Sequence, residues 1–399
     1  MNTYLPAQWR YSSRIFLAGI LFSLFSLPVF SQDTSTKENE PEKKHRGVPM
    51  RDSLDGAIDL SDFLIDMHGF IPVPTIITEP ALGGFGFGLA PVFLTPKKRL
   101  PGMPPGQYVR PDITAGFGMW TVNGSWAAGA VRMGTLQKQR IRYIIGGGYA
   151  DVNLSFYHTF ENIGEREFEF NFKVIPVILR VTKQIGRSEW YAGGQYLFAN
   201  IKVNYGDSLP EFVQTKEINS NISALAPMVE YDGRDNFFTP HKGYKVHVEA
   251  MWSDDAIGSD YDFWRANAFA YYYQPLGPDW TLGFRFDVQQ VWGDPPFYML
   301  PFISMRGIPV GRYQGRSTTV SEVEARWDIV RRWSVVGFGG AGRAFDEWDE
   351  FGDADTRFMG GAGFRYLLAR KFGVRMGIDI ARGPEVWAWY IVFGSSWLK

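Results

Sequence analysis

The 399-residue sequence contains no cysteine. That excludes disulfides, thiolate metal centres, cysteine nucleophiles and a cysteine-anchored lipoprotein. Histidines number five, His45, His68, His158, His241 and His247, scattered without an H-E-x-x-H pairing and without a nucleophile elbow. No catalytic residue, metal ligand or cofactor is therefore assigned. An excess of either charge is also lacking, 41 Lys+Arg standing against 42 Asp+Glu, so no basic field draws the chain to nucleic acid. Beyond residue 30 no apolar stretch approaches the length of a membrane helix. What the chain does have is 32 Phe, 19 Tyr, 14 Trp and 44 Gly, a mixture suited to strands, tight turns and interfacial rings.

At the N terminus, Arg10 and Arg14 precede an apolar run from Ile15 to Phe30, and Val29-Phe30-Ser31 precedes Gln32. Residues 1–31 read as a secretory signal peptide cleaved after Ser31. The run is about 16 residues, short of the ~20 a membrane anchor needs. Residues 32–54 (QDTSTKENEPEKKHRGVPMRDSL) are almost wholly polar and carry Pro41 and Pro49, which predicts a disordered linker. In the segment 55–70, Leu60, Phe63, Leu64 and Met67 share one helical side while Asp59, Ser61, Asp62 and Asp66 lie elsewhere. A short amphipathic helix at the periplasmic rim, leading into a first strand, fits that pattern.

From residue 71 to 399 the dominant period is two. Phe168, Phe170, Phe172 and Val174 alternate with Glu167, Glu169, Asn171 and Lys173; Tyr244, Val246, Val248 and Ala250 with Lys245, His247 and Glu249; Val374, Met376, Ile378 and Ile380 with Arg375, Gly377, Asp379 and Ala381. Runs of this kind exceed the five or six residues usual in soluble sandwiches. With short turns such as Ile185-Gly186-Arg187-Ser188 and Leu276-Gly277-Pro278, they predict an all-β transmembrane antiparallel barrel in a Gram-negative outer membrane, its wet face lining the lumen. Fifteen segments are countable, beginning near Gly83, Asp112, Ser125, Ile141, Glu167, Trp190, Ile222, Gly243, Tyr261, Trp280, Thr318, Trp333, Arg357, Phe372 and Val386. A barrel with both ends in the periplasm needs an even number. Sixteen is therefore the expectation, the missing strand falling at Phe70 to Thr78 or around Phe297.

The second half carries a family likeness. Asp232-Gly233-Arg234-Asp235-Asn236 with Pro240 and Gly243 resembles the D-x-R-D-N…P-x-x-G periplasmic turn of the bacterial surface antigen barrels, the BamA/TamA superfamily. Met305-Arg306-Gly307-Ile308 is similar to that superfamily's V-R-G-F/Y tetrad, Glu322-Val323-Glu324-Ala325-Arg326 to its E-x-R strand, and the chain ends on an aromatic at Trp397. The resemblance implies a tetrad carried by an extracellular loop that folds back inside the barrel. It covers about residues 229–399, with amphipathic strands extending it back to about Gly83. Two features depart from the family. About 40 residues separate Gln32 from the first barrel segment, too few to close one POTRA module, and Gly340 stands where the family commonly has an aspartate holding the loop arginine.

Arg306 is the leading site residue, since a guanidinium folded into a lumen of low dielectric needs carboxylate partners. Glu322, Glu324, Arg326 and Asp328 share the wet face at spacing two, and Glu324, with Glu322 second, is expected to replace the missing aspartate. Gly307 permits a tight backbone beside it. Asp232, Arg234, Asp235, Asn236, Pro240 and Gly243 read as a turn device. Gly337 to Gly342 matches G-x-G-x-x-G, but no helix follows, so these glycines are expected to make room for the returning loop. The acidic run Asp346, Glu347, Asp349, Glu350, Asp353 and Asp355 fits no calcium-loop template and reads as a solvated outer loop.

The resemblance implies a non-enzymatic role in inserting or translocating outer-membrane protein or lipid. The glycines Gly83, Gly84, Gly86 and Gly88 of the expected first strand predict a weak seam with the last strand, Val386 to Trp397, including Gly394. Outer-membrane lipids and lipopolysaccharide are the expected partners, with a periplasmic partner protein and a homo-oligomer also open. Other readings are a passive or gated diffusion channel with a charged lumen, a lipid hydrolase embedded in the barrel, and an anchor that binds a periplasmic protein through Gln32 to Gly69.

Overall fold

A computed structural model describes residues 50–52, 54–61, 70–78, 82–95, 112–160, 164–205, 218–236 and 238–397. The expected signal peptide and most of the expected linker lie outside the described residues, as do Phe63, Leu64 and Met67 of the expected rim helix. Among the described residues sixteen strands follow one another. The first eight are β1 (Phe70–Ile77), β2 (Gly86–Thr95), β3 (Asp112–Thr121), β4 (Trp126–Leu136), β5 (Ile141–Phe160), β6 (Gly164–Gln184), β7 (Trp190–Asn204) and β8 (Asn219–Asp232). The rest are β9 (Gly243–Ser253), β10 (Phe263–Leu276), β11 (Trp280–Gly293), β12 (Ser317–Val330), β13 (Trp333–Phe345), β14 (Arg357–Ala369), β15 (Val374–Arg382) and β16 (Trp387–Phe393). Each pairs antiparallel with the next in one sheet, and β1 and β16 come side by side. The fold is an all-β, nearly closed barrel, as the alternation predicts.

The fifteen segments read from the sequence correspond to β2–β16, and the sixteenth strand is β1. It hides in the sequence because its text, FIPVPTII, holds two prolines, which are confined to sheet edges; β1 is such an edge. The placement of the first strand at Gly83–Leu94 is thereby corrected. Gly83 and Gly84 lie in the preceding turn at φ 90° and 74°, and Gly86 and Gly88 belong to β2, paired with β1 on one side and β3 on the other.

Alternation sorts side chains as a barrel requires. Lys245, His247 and Glu249 of β9 are buried toward the lumen while Tyr244 and Val248 face out. The upper parts of β5, β6 and β7 depart from this, Ile201 and Val203 of β7 being buried while Lys202 and Asn204 are exposed. In the upper half of β6, Phe170, Phe172 and Val174 are buried inward and Glu169 and Lys173 are exposed, whereas lower down Ile175, Val177, Leu179 and Val181 are exposed. The wet face of this stretch is therefore the outer one, correcting the expectation for residues 167–174. The reversal at Val174-Ile175 marks the edge of the lipid. Ten residues from Ile175 to Gln184, at ~3.3 Å each and tilted by ~40°, span roughly 25 Å, the height of an outer-membrane apolar band. Above it the β5–β6 hairpin stands in water, with its inner face packed on the loop between β11 and β12. Phe156 meets Phe297 edge-on at 4.6 Å, and the hydroxyls of Tyr298 and Ser220 are 2.6 Å apart.

Short turns at 137–140, 185–189, 277–279 and 331–332 sit at one end and the longer connections 254–262, 294–316 and 346–356 at the other. This assigns the first end to the periplasm.

Candidate functional site

The lumen is crossed by paired charges. Arg285 grips Asp287 and donates to Glu322 at 2.7 Å. Arg365 donates to both oxygens of Asp379, at 2.5 and 2.9 Å. Lys245 lies 3.2 Å from Glu230. All but the half-buried Glu230 are buried, and they are mutually compensated, as charges removed from bulk water must be.

Into this network the β11–β12 loop inserts Arg306. Its Nη1 donates to Asp379 at 2.8 Å and to the Ser396 hydroxyl at 3.0 Å, and Glu324 is ion-paired to it at 2.9 Å. The guanidinium also lies 3.4 Å from the ring centre of Phe338, a favourable cation–π placement. Beside it, the Gly307 amide donates to the Tyr390 hydroxyl at 2.9 Å. Gly307 has φ 77°, and a Cβ there would meet the Gly383 amide at 2.7 Å, so the backbone of the loop rests directly on the β15–β16 connection. Of the carboxylates expected around Arg306, Glu324 is within ion-pair distance, while Glu322 is held by Arg285. Arg326 donates to the Thr281 hydroxyl at 3.0 Å and the Pro240 carbonyl at 3.3 Å.

Nothing in the sequence singles out Asp379, Arg365, Ser396, Phe338 or Tyr390 as part of the site. Asp379 was visible as a wet-face position of β15, but no local signal says that β15 faces a loop 73 residues earlier. Gly340 is explained by packing. A Cβ there would lie 2.7 Å from the Ser321 carbonyl and 3.2 Å from the Met305 sulfur, and one at Gly342 would lie 2.7 Å from Ile303. The glycines leave room for Ile303 and Met305 of the inserted loop, and the carboxylate absent from β13 is present on β15.

The turn at 232–243 is built as a structural device. Arg234 clamps Asp232 through Nε and Nη2 at 2.8 and 2.9 Å. Asp235 accepts from the amides of His241 and Lys242 at 2.9 and 3.1 Å, and Asn236 from those of Phe238 and Thr239 at 2.8 and 2.9 Å. Gly243 has φ 105°. The turn also meets the C-terminal tail. Gly394, at φ 78°, turns the chain inward, the Ser395 amide donates to the Phe238 carbonyl at 2.6 Å, and Trp397 is 3% exposed beside Tyr271 and Tyr273. Trp397 is therefore in the lumen rather than on the last strand, correcting its expected place in the seam.

The seam itself lies between β1 and β16, which share no ladder among the described residues. Pro72 stands opposite Pro91. Two opposed prolines cannot exchange amide hydrogen bonds, so each turns its nitrogen away from the other. The Pro91 side faces β3, whose register with β2 skips Ala90 and Pro91. The Pro72 side, and that of Pro74 two residues on, faces β16. The edge that would close the barrel lacks two donors. Among the described residues the acidic run of the outer loop does not converge, whereas Asp254, Asp255 and Asp262 in the β9–β10 loop approach one another.

Residues 137–369 match the Omp85 superfamily domain. Among solved structures, BamA from Haemophilus ducreyi lacking POTRA domains 1–3 aligns at TM-score 0.54 and 12% identity over 82% of this chain and 69% of that one. CdiB from Escherichia coli aligns at TM-score 0.58 and 11% identity over 81% of this chain and 62% of that one. At such identities the likeness shows the fold alone. A search of the curated proteins finds no match.

Proposed function

The chain belongs to the Omp85 superfamily, and from that premise we propose that it inserts or translocates protein or lipid at the outer membrane by parting the barrel between β1 and β16, without enzymatic chemistry. Within the superfamily the Met305-Arg306-Gly307-Ile308 tetrad and the Asp232–Gly243 turn favour the BamA/TamA branch. The observation that carries the reading is the seam: every other neighbouring pair of strands is laddered, and the β1 edge has Pro72 and Pro74 where donors would be. The strands there are also short, 8 residues in β1 and 7 in β16. Seven residues at ~3.3 Å and ~40° tilt rise only roughly 18 Å against an apolar band of ~25 Å, which favours a locally thin bilayer. Arg306 fixes the internal loop beside β15, one strand from the seam. A diffusion channel is less well supported, because the β11–β12 loop and Trp397 occupy the lumen and the β5–β6 hairpin packs over that loop above it.

The chain has no cysteine, so pairs introduced one in β1 and one in β16 are its sole thiols. In a depletion strain, an oxidised seam should abolish rescue of barrel-protein assembly or surface lipid asymmetry, and a reductant should restore it. A pair shown to be cross-linked in every molecule, with both phenotypes fully rescued, would refute the reading.

A further inference from the structure

Residues 50–52 and 54–61 do not trail away from the barrel. They fold into a small loop, closed by Asp52 N–H to Ala57 carbonyl at 2.9 Å and Asp59 N–H to Met50 carbonyl at 3.0 Å. Three carboxylates of this loop converge on one guanidinium. Arg332, in the β12–β13 turn, donates to Asp52, Asp55 and Asp59, each at 2.6 Å. Arg370, in the β14–β15 turn, adds its side chain to Asp52 and its amide to Asp59 at 3.0 Å. The Leu60 amide donates to the Leu368 carbonyl at 2.8 Å, and the Lys371 amide to the Ser61 hydroxyl at 3.0 Å. A strap is thereby clasped under two neighbouring periplasmic turns.

Its other side is apolar. Met50, Leu54 and Ile58 are 51%, 60% and 57% exposed, although the acidic residues between them are engaged. Where that side faces is fixed by Tyr366, whose hydroxyl donates to the Ile58 carbonyl at 2.7 Å. Tyr366 packs edge-on against Trp333 at 4.9 Å, and Trp333 and Phe364 are exposed on the outer wall of the barrel. Aromatic rings on that wall at the end of the strands form the interfacial girdle. The strap therefore sits at the level of the periplasmic headgroups, continuous with the lipid-facing surface. Arg51 within it and Arg331 and Lys371 beside it are exposed and suit anionic headgroups.

We propose that residues 50–61 form a membrane-seated strap: Asp52, Asp55 and Asp59 clasp it to Arg332 and Arg370, and Met50, Leu54 and Ile58 dip into the periplasmic leaflet of the outer membrane. The proposal rests on the barrel lying in a bilayer and is independent of whether the seam opens.

The test uses the full chain with Leu54→Cys carrying one nitroxide, reconstituted in vesicles of phosphatidylethanolamine and phosphatidylglycerol. Collision with oxygen is compared with collision with a water-soluble nickel chelate, and Arg187→Cys in another periplasmic turn is the aqueous reference. The oxygen-to-nickel ratio at 54 should exceed that at 187 several-fold; equal ratios would overturn the proposal. Adding Arg332→Gln should bring the ratio at 54 down to the reference, and a ratio left unchanged would overturn the role of the clasp. Asp55→Asn, which alters no barrel residue, repeats that arm should the arginine variant fail to fold. The ratio should not depend on protein density in the vesicle; a ratio that fell on dilution would assign the patch to a second copy instead.

Discussion

Replacing Arg306 by alanine tests how the internal loop is held. The guanidinium is buried, with its side chain 9% exposed, and faces Glu324 and a fully buried Asp379. Removing one partner of a buried ion pair costs ~3–5 kcal/mol, mostly from the charge left behind. Asp379 keeps Arg365, so the uncompensated charge falls mainly on Glu324 and the lower end applies, about 3 kcal/mol, or roughly a hundredfold in the ratio of docked to undocked loop. Lysine retains the charge but loses the planar stack on Phe338, and about 1 kcal/mol is expected. Hydrogen exchange of the amides around 303–308 in detergent reads the docking ratio directly. Arg306→Ala should raise their exchange roughly a hundredfold at a cost of about 3 kcal/mol, Arg306→Lys much less, and Glu324→Gln combined with Arg306→Ala should cost less than the sum of the two. Unchanged exchange in Arg306→Ala, or strict additivity with Glu324→Gln, would refute the clasp.

Three further outcomes follow from the same geometry. Gly307→Ala places a side chain at φ 77° against the Gly383 amide, and should destabilise loop docking by about 2 kcal/mol, seen in the same exchange experiment; Gly337→Ala, with open space around its Cβ, should leave it unchanged. The strap should release on acidification. The bond from Arg370 holds the Asp52 carboxyl well below the usual range, and that from Arg332 lowers Asp55. Burial pushes Asp59 up, but bonds from Ser61 and Arg332 outweigh it. Carboxyls depressed in the docked state stabilise docking above their free value of ~4 and lose that contribution as pH falls through the depressed values. A nitroxide at 54 should therefore stay immobile from pH 7 to about 4 and become mobile only below that; release between pH 5 and 7 would contradict the clasp. Pro72→Ala with Pro74→Ala returns two donors to the β1 edge, and should raise the yield of a β1–β16 disulfide formed under mild oxidation.

Much of the architecture is legible in the sequence because side-chain period two survives any uncertainty about strand ends. Tyr244 to Ala250 and Val374 to Ala381 could be sorted into lipid and lumen faces without knowing their neighbours. The same rule misleads at 167–174, where the hairpin leaves the membrane and water is outside; the clue was the doublet Val174-Ile175, which breaks the alternation at that level. β1 was legible only as a place where a strand was needed, since prolines at 72 and 74 obscure it. The sequence accordingly points to a seam one strand too late and to glycines instead of missing donors. Arg306 and Glu324 could be paired from local text, because Glu324 shares a strand face with three other polar residues. Asp379 and the Asp52–Arg332 clasp could not, being joined by contacts 73 and 280 residues apart that only the closed cylinder creates.

The seam itself is open to one direct measurement: site-resolved amide hydrogen exchange of the whole barrel in lipid nanodiscs. The amides of β16 that do not face β15, and those of β1 that do not face β2, should exchange orders of magnitude faster than those of β9–β12, where both flanks are laddered. Uniform protection around the cylinder, β1 and β16 included, would mean that the barrel is sealed there and would contradict a parting wall.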